Sequence, residues 1–295
     1  MEEKKTVPIN KKKIIYNSLI VAFSIVIIFC IYKIVSYYFQ GSQSKNIKEE
    51  LVENYVHYSE DVTVNNGEAE VEGGNPVFSG YKQYPIPASI DFNKLLSQNE
   101  DVRGWIFNQN GVINYPILQG DDNSYYLDHL INGKKNVNGS IFMNYTNKGN
   151  FTDRNTLIYG HSMDNGTMFA TLLRYKKQAY YDAYPTFYLY TPKGNYKIEI
   201  FSAYETVADD DAYTVKFTDD EFSKFISSAI SKSKVKTNVT VGTNDKIVTL
   251  STCAYSSKDA RFVVMGKLAS LNGNSQEEKQ ENPYGNSSKP DLFSY

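Results

Sequence analysis

Apolar residues run almost without interruption from 14 to 35, in the segment IIYNSLIVAFSIVIIFCIYKIV. This matches the ~20 residues a helix needs to cross the hydrocarbon of a bilayer. Lys4, Lys5, Lys11, Lys12 and Lys13 precede the run, and Tyr37, Tyr38 and Phe39 follow it. Basic residues mark the cytoplasmic flank and aromatic residues the interface. The pattern therefore predicts a single-pass anchor over 14–37, with 1–13 in the cytoplasm and the remainder outside the cell membrane. A cleaved signal peptide would have a shorter apolar core ending in small residues, and this run has neither. Cys30 falls within the span and reads as lipid-facing packing.

Beyond the span the periodicity changes. Leu51, Val52, Tyr55 and Val56 recur at helical spacing and predict a short helix over 45–57. From 60 to 85 the chain is polar and glycine-rich, so 38–85 reads as a helical arm followed by a linker. The compact domain is expected over 86–271. Within it short β-like runs occupy 104–107, 112–118, 140–144, 156–159, 186–190, 196–206, 247–250 and 262–269. Turn chemistry separates them, as in Asn108-Gln109-Asn110-Gly111 and Pro192-Lys193-Gly194-Asn195. Helices are expected at 122–130, 168–173, 176–183 and 219–232. The last has an acidic start, with Phe222, Phe225, Ile226 and Ile230 on one face. Many short strands with few helices make a mainly-β barrel or sandwich with helical insertions. The polar stretch 272–295 is expected to be disordered.

Composition narrows the function classes. Lys and Arg number 31 against 33 Asp and Glu, so no basic field points to nucleic acid. The external part is long enough for one domain with a substantial core. Its single cysteine, Cys253, excludes an internal disulfide, which suits a bacterial surface protein. No cluster has metal-ligand spacing. Asp209-Asp210-Asp211 lacks the spacing of an EF-hand loop and reads as solvated, so neither a metal nor another cofactor is expected.

The chemistry concentrates in two segments. Thr249-Leu250-Ser251-Thr252-Cys253 closes one predicted strand, and Arg261 opens the next. Most free cysteines are small buried hydrophobes. A thiol at a strand end facing a guanidinium across a short loop is different, because a nearby cation favours the reactive thiolate. Asn155-Thr156-Leu157-Ile158-Tyr159-Gly160-His161 runs an apolar strand straight into a histidine beside a turn-like segment. His57 and His129 sit in helical stretches and read as surface or packing residues. Cysteine, histidine and arginine together supply a nucleophile, a proton shuttle and an oxyanion-stabilising cation for acyl transfer.

These segments resemble the class B sortases. The similarity extends to Asp101-Val102-Arg103-Gly104-Trp105-Ile106, to Ile113-Asn114-Tyr115-Pro116-Ile117-Leu118-Gln119-Gly120, to Tyr125-Tyr126-Leu127 and to Gly139-Ser140-Ile141-Phe142-Met143, covering roughly 86–270. The resemblance implies an eight-stranded sortase-type β-barrel with an N-terminal helical extension and an extra helix between the sixth and seventh strands, where 219–232 falls. It implies cleavage of a sorting motif near the C-terminus of exported surface proteins. Cys253 would form the thioester, His161 would move the protons, and Arg261 would hold the carbonyl and its developing charge. Ser251, Thr252 and Tyr255 would shape the substrate cleft. The acceptor would be an amine of a peptidoglycan precursor or of a pilin. Another cell-wall cysteine transpeptidase or peptidase, or a non-catalytic surface-binding barrel, are the alternatives. Some class B members carry an acidic residue just after the cysteine, where this chain has Ala254 and Tyr255.

Overall fold

The structure is a computed structural model and describes residues 11–59, 82–254 and 259–271. Helix α1 (Lys11–Tyr55) is the longest element. From residue 15 on its apolar stretch is exposed, with Phe23, Ile28 and Tyr32 all more than 60% accessible. Only its C-terminal part packs on protein, through Ile47, Leu51, Val52 and Tyr55. The expected anchor and the expected helix over 45–57 are thus one unbroken helix. Gly41 and Ser42 do not interrupt it. A helix-interior glycine costs only about 1 kcal/mol relative to alanine, and hydrogen bonds from the domain to Gln40 and Gln43 offset that cost. A two-residue strand, β1 (Val56–His57), pairs with β2 (Ser89–Ile90) and ties the end of α1 to the start of the domain.

Helix α2 (Phe92–Gln98) begins where the Asp91 carboxylate accepts the Lys94 backbone N–H. Eight strands follow: β3 (Val102–Asn108), β4 (Asn114–Leu118), β5 (Ile141–Met143), β6 (Asn155–Tyr159), β7 (Thr186–Thr191), β8 (Gly194–Val207), β9 (Ile247–Cys253) and β10 (Ala260–Ser270). They close into a barrel in the order β10-β8-β7-β3-β4-β5-β6-β9. The β4–β5 and β6–β9 pairs are parallel and the rest antiparallel. Closure leaves no open edge, which removes the usual template for strand-to-strand aggregation. The barrel expectation from the sequence is met, with each strand within a few residues of its anticipated limits.

Alternation within the strands sorts the side chains. Ile106, Ile117, Leu189, Ile200, Leu250 and Val264 belong to the central core. Trp105, Leu118, Tyr188 and Tyr190 face outward and are covered by α1 and α2. Helix α4 (Asp219–Lys232) lies between the sixth and seventh barrel strands and seals a third cluster with Phe201, Tyr204 and Val263. Its start is a reciprocal capping box. Thr218 Oγ1 accepts the Glu221 N–H, and Glu221 Oε2 accepts the Thr218 N–H. A short helix α3 (Gln178–Ala183) completes the insertions.

Two expected helices are different in kind. Over 122–130 there is only a 3₁₀ turn, Tyr125–Leu127. The Asp122 carboxylate accepts the N–H groups of Ser124 and Tyr125, and Leu130 then turns back onto Lys134. These local bonds compete with a helical ladder. The apolar stretch near 168–173 forms a longer 3₁₀ segment, Ala170–Lys176. The linker from 60 to 81 and the tail from 272 lie outside the described residues. Residues 82–87 already pack on the barrel, with the Tyr84 N–H donating to the Gln109 carbonyl.

Candidate active site

Cys253 is the last residue of β9 and Arg261 the second of β10. The two are direct cross-strand partners. Antiparallel partners have Cα atoms about 4.5–5.5 Å apart, with side chains on the same face. The Ala254 N–H donates to the Ala260 carbonyl at 2.9 Å and continues the ladder into the connecting loop. Cys253 is half-buried, as is Arg261. The Arg261 guanidinium gives one N–H to the Ala260 carbonyl at 3.1 Å. It has five such donors, so it can serve a substrate while keeping this bond.

His161 reaches the same place from the other side. Strand β6 runs parallel to β9 with Tyr159 opposite Ser251, and the Gly160 N–H donates to the Ser251 carbonyl at 3.1 Å. Two residues on, His161 stands level with Cys253. Gly160 permits this close approach. A Cβ there would lie 2.4 Å from Ile141 Cδ1 and 2.8 Å from Phe169 Cδ2. The imidazole Nε2 is 2.7 Å from the Leu127 carbonyl oxygen. A carbonyl only accepts, so Nε2 carries the proton and Nδ1 is left for exchange with a thiol or an amine. The His161 carbonyl in turn accepts the Phe169 N–H at 2.9 Å.

Cys253, His161 and Arg261 line one cleft of about 300 Å³, together with Ser251 and Thr252. The structure thus brings together five of the six residues singled out from the sequence; Tyr255 lies outside the described residues. Ser251 is engaged, its hydroxyl 2.9 Å from the Tyr213 hydroxyl. Thr252 is buried, and its Oγ1 has no hydrogen-bond partner among the described residues.

Sequence reasoning missed the aromatic wall. Tyr159 and Tyr213 stack with centroids 6.2 Å apart, and Phe142 tilts against Tyr159 at 5.4 Å. Burial pushes the Tyr213 phenol up to about 12 and raises that of Tyr159, so both stay neutral hydrogen-bonding groups. The Tyr159 hydroxyl accepts from Asn144 Nδ2 at 2.9 Å. The turn carrying Tyr213 follows Asp209-Asp210-Asp211, read as a solvated loop. Two of its acids have structural work: Asp210 accepts the Ala212 N–H, and Lys232 from α4 bridges Asp210 and Asp211 at 3.1 and 3.3 Å. Among the described residues no group of His, Cys, Asp and Glu is placed to hold a metal.

A thiol, an imidazole and a guanidinium converge at one end of a closed eight-stranded barrel, the set of groups that acyl transfer through a thiol needs. The family model described as the Sortase domain matches residues 109–269, more than half of the 295-residue chain. The chain belongs to the sortase family of cysteine transpeptidases. Its relatives set it in class B. It is 40% identical over 182 residues to Sortase B of Listeria monocytogenes, covering 60% of this chain and 74% of that protein. It superposes on a Staphylococcus aureus sortase B–substrate complex with a TM-score of 0.59 and 35% identity, covering 61% of this chain and 85% of the other. Sortase B of Clostridium perfringens gives a TM-score of 0.58 and 36% identity, covering 60% of this chain and 99% of the other.

Proposed function

We propose that this class B sortase is anchored by 14–37 with its N-terminus in the cytoplasm, and that the domain over 86–271 cuts a sorting motif of exported proteins through a Cys253 thioester. The Cys253 thiolate attacks a backbone carbonyl of the motif, and the carbonyl oxygen becomes an oxyanion. Arg261, its cross-strand partner, donates N–H groups to that oxygen. As the tetrahedral intermediate collapses the C–N bond breaks, and the His161 imidazolium gives its proton to the leaving amine. The neutral imidazole then takes a proton from the incoming amine, which attacks the thioester and releases the thiolate, restoring the thiolate–imidazolium pair. The product is a new amide, so bonds and protons balance without a metal or a redox partner. A peptidoglycan precursor or a pilin lysine has the amine this step needs.

The observation that carries the reading is the pairing of Arg261 with Cys253, with His161 on the parallel neighbouring strand. Ser251, Thr252, Tyr159 and Tyr213 form the walls against which the motif would lie. The test is to incubate the protein with a panel of sorting-motif peptides, with and without glycine or lysine amines. The expected result is cleavage of one motif class, with ligation that depends on the amine. Cleavage of none, or cleavage surviving Cys253→Ala, would reject the proposal.

A further inference from the structure

The junction between α1 and the barrel fixes the height of the domain above the membrane. Asn136 is fully buried, and its Nδ2 donates to the Gln40 carbonyl at 2.9 Å and to Gln43 Oε1 at 3.3 Å. The Val137 N–H donates to Gln40 Oε1 at 2.9 Å. Next to Gln40, a Cβ at Gly41 would lie 3.9 Å from Asn165 Nδ2. The barrel is therefore clamped to the residues that directly follow the span.

Helical rise gives the distance. The apolar run ends at Val35, and Gln40 is five residues further along the same unbroken helix. At 1.5 Å per residue that is at most about 7–8 Å above the hydrocarbon, and tilt only shortens it. The headgroup layer is itself about 5–7 Å deep on each side. With the span in the bilayer, Asn136 and Val137, bonded to Gln40, would lie at the outer edge of the headgroup layer, and within it where the helix tilts.

We propose that the 132–137 loop is a foot that rests on the phospholipid headgroups of the anchoring membrane, so that the catalytic cleft opens at the bilayer surface. The loop suits this. It is a tight reversal held by the Leu130 N–H to the Lys134 carbonyl and by the His129–Lys135 bridge. Val137 is 42% exposed at its end. Lys134 is exposed, and Lys135 is 76% exposed while 3.0 Å from Asp128. Both ammonium groups can reach lipid phosphate. The acids nearby are Asp128 on the loop's own segment and Asp164 beside Asn165, so contact is driven by enforced proximity more than by net charge.

The segment that leads into the foot borders the cleft through Leu127. Three residues before Leu130 stands Leu127, whose carbonyl holds His161, and the Asp128 carbonyl accepts the Asn136 N–H. Asn165, against Gly41, is four residues after His161. Both segments that present the imidazole therefore lead to residues 40–43 of α1, just after the apolar run. A substrate tethered in the same bilayer would meet the cleft close to its own point of anchorage.

This inference rests on 14–37 being an anchor, and the test separates the two. The full chain carrying Cys30→Ser and Cys253→Ala is given a single new cysteine by Val137→Cys, Lys134→Cys, Ile27→Cys or Lys193→Cys. Each is labelled with a fluorophore and reconstituted in phosphatidylcholine–phosphatidylglycerol vesicles. Quenchers are attached to the acyl chain, attached to the headgroup, or dissolved as iodide. Position 27 should respond to the acyl-chain quencher. Positions 134 and 137 should respond to the headgroup quencher at least threefold more than position 193, in the turn between β7 and β8, and be correspondingly shielded from iodide. Position 27 buried in hydrocarbon with 134 and 137 as open to iodide as 193 would overturn the foot alone. No acyl-chain quenching at 27 would overturn the anchor and the foot with it.

Discussion

Arg261 is held by one carbonyl, faces a thiol across one strand pair, and borders an open cleft. A guanidinium can give two parallel N–H bonds in this geometry and an ammonium cannot. Arg261→Lys is therefore expected to lose ~10²–10³-fold in turnover, the usual cost of one oxyanion donor, with a melting temperature near wild type. Steady-state cleavage of a sorting peptide and a thermal melt check both. Near-normal turnover would leave charge alone as the requirement. Cys253→Ala removes only one half-buried sulfur at a strand end, so it should abolish cleavage while the fold persists, read by turnover and circular dichroism on one sample. The positions of Cys253, His161 and Arg261 were legible because each lies within two residues of the end of an apolar strand, and strand ends line clefts. Leu127 was not legible as a partner of His161. Its contribution is a backbone carbonyl, which any residue has, and it arrives from 34 residues away. Tyr213 was hidden for a related reason: only the fold of the turn after β8 brings it onto Ser251 and Tyr159.

Helix α1 shows what local pattern can and cannot say about an element. Its apolar run and its amphipathic end were each readable, but their fusion depends on the barrel bonding to Gln40 and Gln43. The docked half carries an unusual group. Lys48 donates to the Val112 carbonyl at 2.7 Å and sits 4.6 Å from the centroid of the Tyr115 ring. Burial pushes its ammonium down to about 8, against a weaker opposing pull from Glu49. Below pH 8 Lys48 is charged in both folded and unfolded chains. Between about 8 and its unfolded value near 10.5 the unfolded chain binds the extra proton, so stability rises with pH there. The melting temperature of wild type should therefore climb relative to that of Lys48→Met from pH 7.5 to 9.5. Parallel curves would mean that Lys48 is solvated in the folded protein. Leu51, 5% exposed on the same helix, anchors the dock by apolar contact. Leu51→Ala should cost roughly 2–5 kcal/mol in a denaturant titration, the range for a truncated buried leucine.

At the scale of the molecule the question is which parts the barrel needs. Its closed sheet and central core are complete without the exposed apolar half of α1, which the proposed function places in lipid. The outward cluster around Trp105, Leu118 and Tyr190 is not complete without the docked half of α1, which covers it with Leu51, Val52 and Tyr55. A chain beginning at Gln40 should therefore be soluble without detergent and as active on free peptides as the detergent-solubilised full chain. A chain beginning after Ser59 should expose that cluster, lose stability and associate. Size-exclusion chromatography and a melt distinguish the two, and equal behaviour would mean that α1 is only a tether. The Gln40 chain also isolates the chemistry, because the protein has two cysteines and Cys30 lies in the part removed. One equivalent of a thiol reagent should modify it, and activity should fall in proportion to the thiol consumed. Activity that survives full modification would place the nucleophile elsewhere than Cys253.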